Sequence, residues 1–145
     1  MAGAKRVTEE VLSWIIGGIF LYAGVLKLLR PDALLVDIQS YQLVPYRLAY
    51  LASYYLPAME IIAGAGMLHR WLRRESAFLL LALTAIFIFA LTAAWLRGLD
   101  ISCGCFGAAQ AKAKYPILIG RDSFICVGII FVLWVQYPGG SKTKI

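Results

Sequence analysis

Charge is scarce in this chain. Only 15% of its 145 residues are Asp, Glu, Lys or Arg, 61% are hydrophobic, and the mean hydropathy is +0.77. Soluble domains carry about 25% charged and 45–50% apolar residues, so an ordinary soluble globule is excluded. Histidine occurs once, as His69. Alone it lacks the partners of a metal site, and within the basic turn His69-Arg70-Trp71-Leu72-Arg73-Arg74 it reads as a solvated interface residue. Cysteine occurs three times, an odd count that allows at most one bridge within the chain. Acidic residues are few, 8 against 14 Lys and Arg, giving a net charge of +6. The basic residues flank hydrophobic blocks instead of forming a nucleic-acid surface; there they meet lipid phosphates and set orientation.

Long apolar runs are what the chain has in place of charge. A helix crosses a bilayer with about 20 apolar residues. Four blocks reach this length or come near it, at about residues 11–29, 48–68, 76–96 and 120–137. The first is no signal peptide: it is too long, carries Trp14, Phe20 and Tyr22, and has no small-residue cleavage site before Lys27. Pro31 ends it, and Asp32 is placed to cap a new helix. Residues 33–43 mix Leu34, Leu35, Ile38 and Tyr41 with Asp37, Gln39 and Ser40, the pattern of a short interfacial helix. Pro57 should kink the second span and turn it towards protein or water. Thr84 and Thr92 should bond back to their own helix. The expected fold is all-α: a four-helix transmembrane bundle, residues 11–137, with a short interfacial helix in the first outer loop. Polar tails at 1–10 and 138–145 flank it.

The eleven residues from Arg97 to Gly107 (RGLDISCGCFG) break the apolar pattern. Two thiols, Cys103 and Cys105, stand one residue apart. A disulfide needs Cα atoms about 4.4–6.8 Å apart, so bridging this pair requires the sharp bend that Gly104 permits. A bridge closed over one residue is strained, and strained bridges are the exchangeable ones. The alternative is a static turn with buried or metal-bound thiols. Cys126, about one turn into the fourth span, is either a third thiol on the electron path or a small buried hydrophobe.

Four spans put both termini and the 69–75 turn on one side. Lys and Arg divide evenly between the two sides, but they are denser on the terminus side, with Arg70, Arg73 and Arg74 the strongest cluster. The termini are therefore expected in the cytoplasm and the Cys-Gly-Cys loop outside, where disulfides persist. Glu60 is the one carboxylate deep in a span, about 12 residues or roughly 18 Å from its outer end. An ionisable group at that depth is a functional candidate, here a proton relay. Lys27 and Arg97 are its available charge partners, and Arg97 could equally favour a cysteine thiolate.

Taken in order, Tyr22-Ala23-Gly24-Val25-Leu26-Lys27 with Pro31, Tyr41-Gln42-Leu43-Val44-Pro45, Leu56-Pro57-Ala58-Met59-Glu60 with Gly64, and the 97–107 motif resemble the MauE branch of the MauE/DoxX membrane proteins. The resemblance spans about residues 11–137. It implies a four-span bundle in the bacterial inner membrane, redox work by Cys103 and Cys105, and Lys27 and Glu60 as family-pattern polar positions. Methylamine-utilisation members are associated with maturing a disulfide-rich dehydrogenase subunit beside a thioredoxin-like partner, and DoxX relatives include a thiosulfate:quinone oxidoreductase subunit. The leading expectation is a membrane thiol–disulfide oxidoreductase that exchanges with a thioredoxin-like protein and passes electrons to or from a quinone. The alternatives are a non-catalytic assembly or maturation factor, and a metal site with Cys103 and Cys105 as two soft ligands, short of the four a closed site wants.

Overall fold

A computed structural model describes residues 2–99 and 114–136. Five helices follow one another: α1 (Ala2–Leu29), α2 (Pro31–Ser40), α3 (Tyr46–Leu68), α4 (Arg73–Leu96) and α5 (Tyr115–Gln136). All but α2 are long and apolar enough to cross a membrane, and the protein is an all-α transmembrane bundle. Bulky apolar side chains cover its outside, among them Ile62 at 68%, Phe89 at 68% and Phe124 at 79% exposed. Lipid tails are their natural solvent. Without a hydrophobic force between helices in lipid, association depends on close van der Waals packing of small residues. The buried positions accordingly include Ala49, Ala63, Ala77 and Ala94.

The most extensive helix pair is α1 with α3. A Cβ on Gly17 would lie 2.8 Å from the Gly64 carbonyl oxygen, and one on Gly64 would lie 2.9 Å from the Gly17 carbonyl oxygen and the Leu21 nitrogen. Seven residues further along α1, a Cβ on Gly24 would lie 3.0 Å from the Pro57 carbonyl oxygen. Pro57 is seven residues back along α3, so the two helices run antiparallel with backbones in contact at two points two turns apart. Pro57 is fully buried within α3, which continues through it.

Two apolar cores occupy different levels of the bundle. One gathers Ile16, Ala63, Met67, Leu80, Ile129 and Val132 towards the terminus end. The other, at the opposite end, packs Tyr41 against Leu91 and Ala94, with Phe87, Tyr115 and Leu118 around them. Through Tyr41 and Leu34, both buried, α2 folds back over the bundle.

The structure corrects several boundaries. Residues 2–10 are helix, not a polar tail, because their charges have partners: Glu9 is buried against Arg73, and Lys5 lies 5.1 Å over the Trp134 ring. Asp32 is not a cap; Pro31 takes the first helical turn, where its fixed φ is suited, and Asp32 follows it within that turn. The fourth span starts at Tyr115, five residues before the expected 120, with Pro116 tolerated in its first turn and Gly120 inside the helix. Thr84 and Thr92 bond back to Leu80 and Ile88 as expected. The predicted tail at 138–145 lies outside the described residues.

Gly64→Val should lower unfolding stability in detergent by about 1–3 kcal/mol, because the opposing atoms are backbone and cannot step aside. Gly18→Ala, with nothing within 4 Å of the new Cβ, should leave the melting temperature unchanged or raise it.

Candidate functional site

The α1–α3 contact decides where two opposite charges meet. Side chains on a helix lean towards its N-terminus. Lys27, near the end of α1, therefore leans back into the bundle, while Glu60, on the antiparallel α3, leans towards the same level from below. They meet with Lys27 Nζ donating to Glu60 Oε1 at 2.6 Å and Oε2 at 2.9 Å. Both side chains are only 10% exposed. The ammonium also lies 5.5 Å from the centroid of the Phe87 ring on α4. The charge is thus held by a carboxylate from one neighbour and an aromatic face from another.

This pair forms one wall of a cavity of about 60 Å³ that lies between the two apolar cores. α1 contributes Ile19, Phe20 and Ala23 besides Lys27; α4 contributes Leu83, Thr84 and Phe87. The remaining wall is Arg121, Asp122 and Ile125 of α5. α1 and α5 are in contact at Gly128, where a Cβ would lie 3.3 Å from Ile16 Cδ1. About one to two turns nearer the other end, the same helices line the cavity. Ile19, which lines the cavity, is 38% exposed.

Asp122 is 5% exposed. Its Oδ1 accepts a 2.9 Å bond from Arg121 Nε. Its Oδ2 is buried and has no hydrogen-bond partner among the described residues. A span that starts near residue 120 places Asp122 among the headgroups, where an acid is ordinary. With the start at Tyr115, Asp122 is seven residues in, about 10 Å along the helix. An acid inside an apolar span is the signal that would have found it.

A second polar group closes the terminus end and also went unread. Arg73, 2% exposed, donates from Nη1 to Glu9 Oε1 at 3.0 Å and from Nε to the Met67 carbonyl at 3.1 Å. Gln136 Nε2 donates to the same Glu9 oxygen at 2.8 Å. One carboxylate so ties α1, α4 and α5 together, and the guanidinium adds the end of α3. The sequence places Arg73 in the basic turn 69–74; in the structure α4 starts at Arg73, and its side chain is inside the bundle.

Arg97 stands apart from Glu60. Its Nη1 donates to the carbonyls of Tyr41 and Gln42 at 3.2 and 3.3 Å, satisfying groups that the end of α2 leaves free. Trp95 stacks on Tyr115, and the Tyr115 hydroxyl donates to the Leu99 carbonyl. The end of α4 and the start of α5 are thereby clamped together. Cys103 and Cys105, which belong to the segment joining them, lie outside the described residues. Cys126 is half-buried, eleven residues into α5, and does not line the cavity. His69 is exposed at the end of α3.

Chemically, the site offers a buried acid–base pair, a second carboxylate with a free lone pair, and apolar walls with two phenyl rings. Residues 5–135 match the family described as methylamine utilisation protein MauE, and the chain belongs to that family. No curated protein and no solved structure matches it.

Removing one partner of a buried pair leaves an uncompensated charge, at a cost of about 3–5 kcal/mol, whereas replacing both with apolar residues is close to neutral. Lys27→Met should therefore unfold at markedly lower denaturant than the parent, and Lys27→Met/Glu60→Met should recover most of the loss in the same assay.

Proposed function

We propose that this member of the MauE family is a membrane thiol–disulfide oxidoreductase whose working groups are Cys103 and Cys105. The observation that carries the reading is the Cys103-Gly104-Cys105 motif, set within the family match and in the connection between two clamped helix ends, Leu99 and Tyr115. The clamp fixes where this connection leaves α4 and enters α5, and so which end of the bundle carries it. The denser basic residues at the terminus end support a topology with the termini in the cytoplasm and this connection on the outer face.

In the oxidising direction, a thiolate of a thioredoxin-like client attacks one sulfur of the Cys103–Cys105 disulfide. The S–S bond breaks, a mixed disulfide forms, and the leaving thiolate takes a proton. The client's second thiol then resolves the mixed disulfide, so the client is oxidised by two electrons and the pair is reduced to a dithiol. A quinone restores it: two electrons and two protons pass from the dithiol to the two quinone oxygens, giving a disulfide and a hydroquinone. The opposite direction runs through the same intermediates. Glu60, paired with Lys27, acts as the proton relay.

A non-catalytic maturation factor for a disulfide-rich client is the second reading, and the family's description as a methylamine utilisation protein favours a client of that system. Acid quenching, thiol alkylation and intact-mass analysis separate the two. The purified protein, poised with a dithiol reductant and then given a soluble quinone, should gain and lose two alkylation sites reversibly, mapped to Cys103 and Cys105. Cys103→Ser and Cys105→Ser should each abolish exchange with a thioredoxin-like protein. Two thiols indifferent to both reagents, with client maturation surviving the double substitution and lost on deleting the loop, would establish the maturation factor instead.

A further inference from the structure

We infer that the cavity between α1, α4 and α5 is the binding site for the ring of a neutral, hydroxyl-bearing membrane amphiphile, a hydroquinone, with Asp122 Oδ2 accepting its hydroxyl. The inference rests on the redox reading for the ligand's role.

Each wall restricts the ligand. The cavity lies among four membrane-spanning helices and one of its lining residues, Ile19, is 38% exposed, so a ligand drawn from the bilayer is favoured. Its ionisable lining is balanced: Lys27 pairs with Glu60 and Arg121 with Asp122, two positive and two negative groups. A charged ligand would break that balance in a low-dielectric setting, so a neutral one is favoured. Asp122 Oδ2 is buried without a donor among the described residues, and a buried acceptor left unpaired is costly. The ligand therefore brings a donor, which a hydroxyl supplies and a quinone carbonyl or an ether does not. Phe20 and Phe87 present ring surfaces, and Ile19, Ala23, Leu83 and Ile125 complete an apolar lining that a flat ring matches.

The same site distinguishes the two redox forms. Hydroquinone donates to Asp122 Oδ2, while quinone leaves it unpaired and presents only acceptors, for which Lys27 Nζ is the available donor. The reduced form is consequently held more tightly than the oxidised one.

The test is equilibrium binding to the full chain in lipid nanodiscs, with a short-tailed ubiquinol analogue and its dimethyl ether as probes. The ether keeps the ring and lacks the donor. The parent should bind the ubiquinol at least about tenfold more tightly than the ether, the discrimination a hydrogen bond to a charged acceptor supplies. Asp122→Asn should lose that discrimination, and Ile125→Trp, which fills the cavity, should remove binding of both probes. Equal binding of ubiquinol and ether to the parent, or unchanged binding by Ile125→Trp, overturns the site. Cys103→Ser/Cys105→Ser should bind the ubiquinol as the parent does. If it does, while the thiols prove inert to quinone, the site stands and the redox reading falls. If exchange with a thioredoxin-like protein and with quinone persists in Ile125→Trp, the redox reading stands and this site falls.

Discussion

A buried ion pair between Lys27 and Glu60 sets the terms for the rest of this bundle. Two charges in lipid are tolerable only if they reach each other, and Lys27 and Glu60 reach each other only because α1 and α3 touch backbone to backbone at Gly17, Gly64, Gly24 and Pro57. The antiparallel register then makes both side chains lean to one level. Close packing, helix direction and charge pairing are one constraint seen at three scales. Moving the register by one residue would rotate Glu60 about 100° around α3, away from the ammonium.

The pair also explains the layering. Polar groups are gathered at two levels: Glu9, Arg73 and Gln136 at the terminus end, and Lys27, Glu60, Thr84, Arg121 and Asp122 beyond the middle. Apolar cores fill the levels between and above. The lower group is a fastener, since its hydrogen bonds join α1, α3, α4 and α5. The upper group retains a cavity and an acceptor that has no donor among the described residues. That difference separates the part of the molecule that holds the helices together from the part with capacity left for a ligand.

Sequence reasoning succeeded where the physics is local. Span number, the helix after Pro31, back-bonded Thr84 and Thr92, and the pairing of Glu60 with a cation all follow from run length, proline geometry and the cost of a charge in lipid. It failed at the ends. Hydropathy sees Glu9 and Arg73 as flanks, because a window average cannot know that each has the other 64 positions away. The same blindness puts Asp122 at a headgroup and leaves Arg97 beside Lys27 as a candidate partner of Glu60, when Arg97 serves the bare carbonyls at the end of α2.

What the amino-acid sequence by itself determined is a chain that belongs in a bilayer as four spans, with two thiols one residue apart in a connection and one acid it cannot leave unpaired. Those properties depend on composition, on spacing along the chain and on solvent. Tertiary structure alone decided which cation met Glu60, that Arg73 turned inward, and that Lys27, Glu60, Thr84 and Asp122 from four helices surround one cavity. The physical reason is that hydrophobicity acts between a residue and its solvent, and so can be read one residue at a time. Charge pairing and cavities act between residues far apart in the chain, and exist only once the helices have packed.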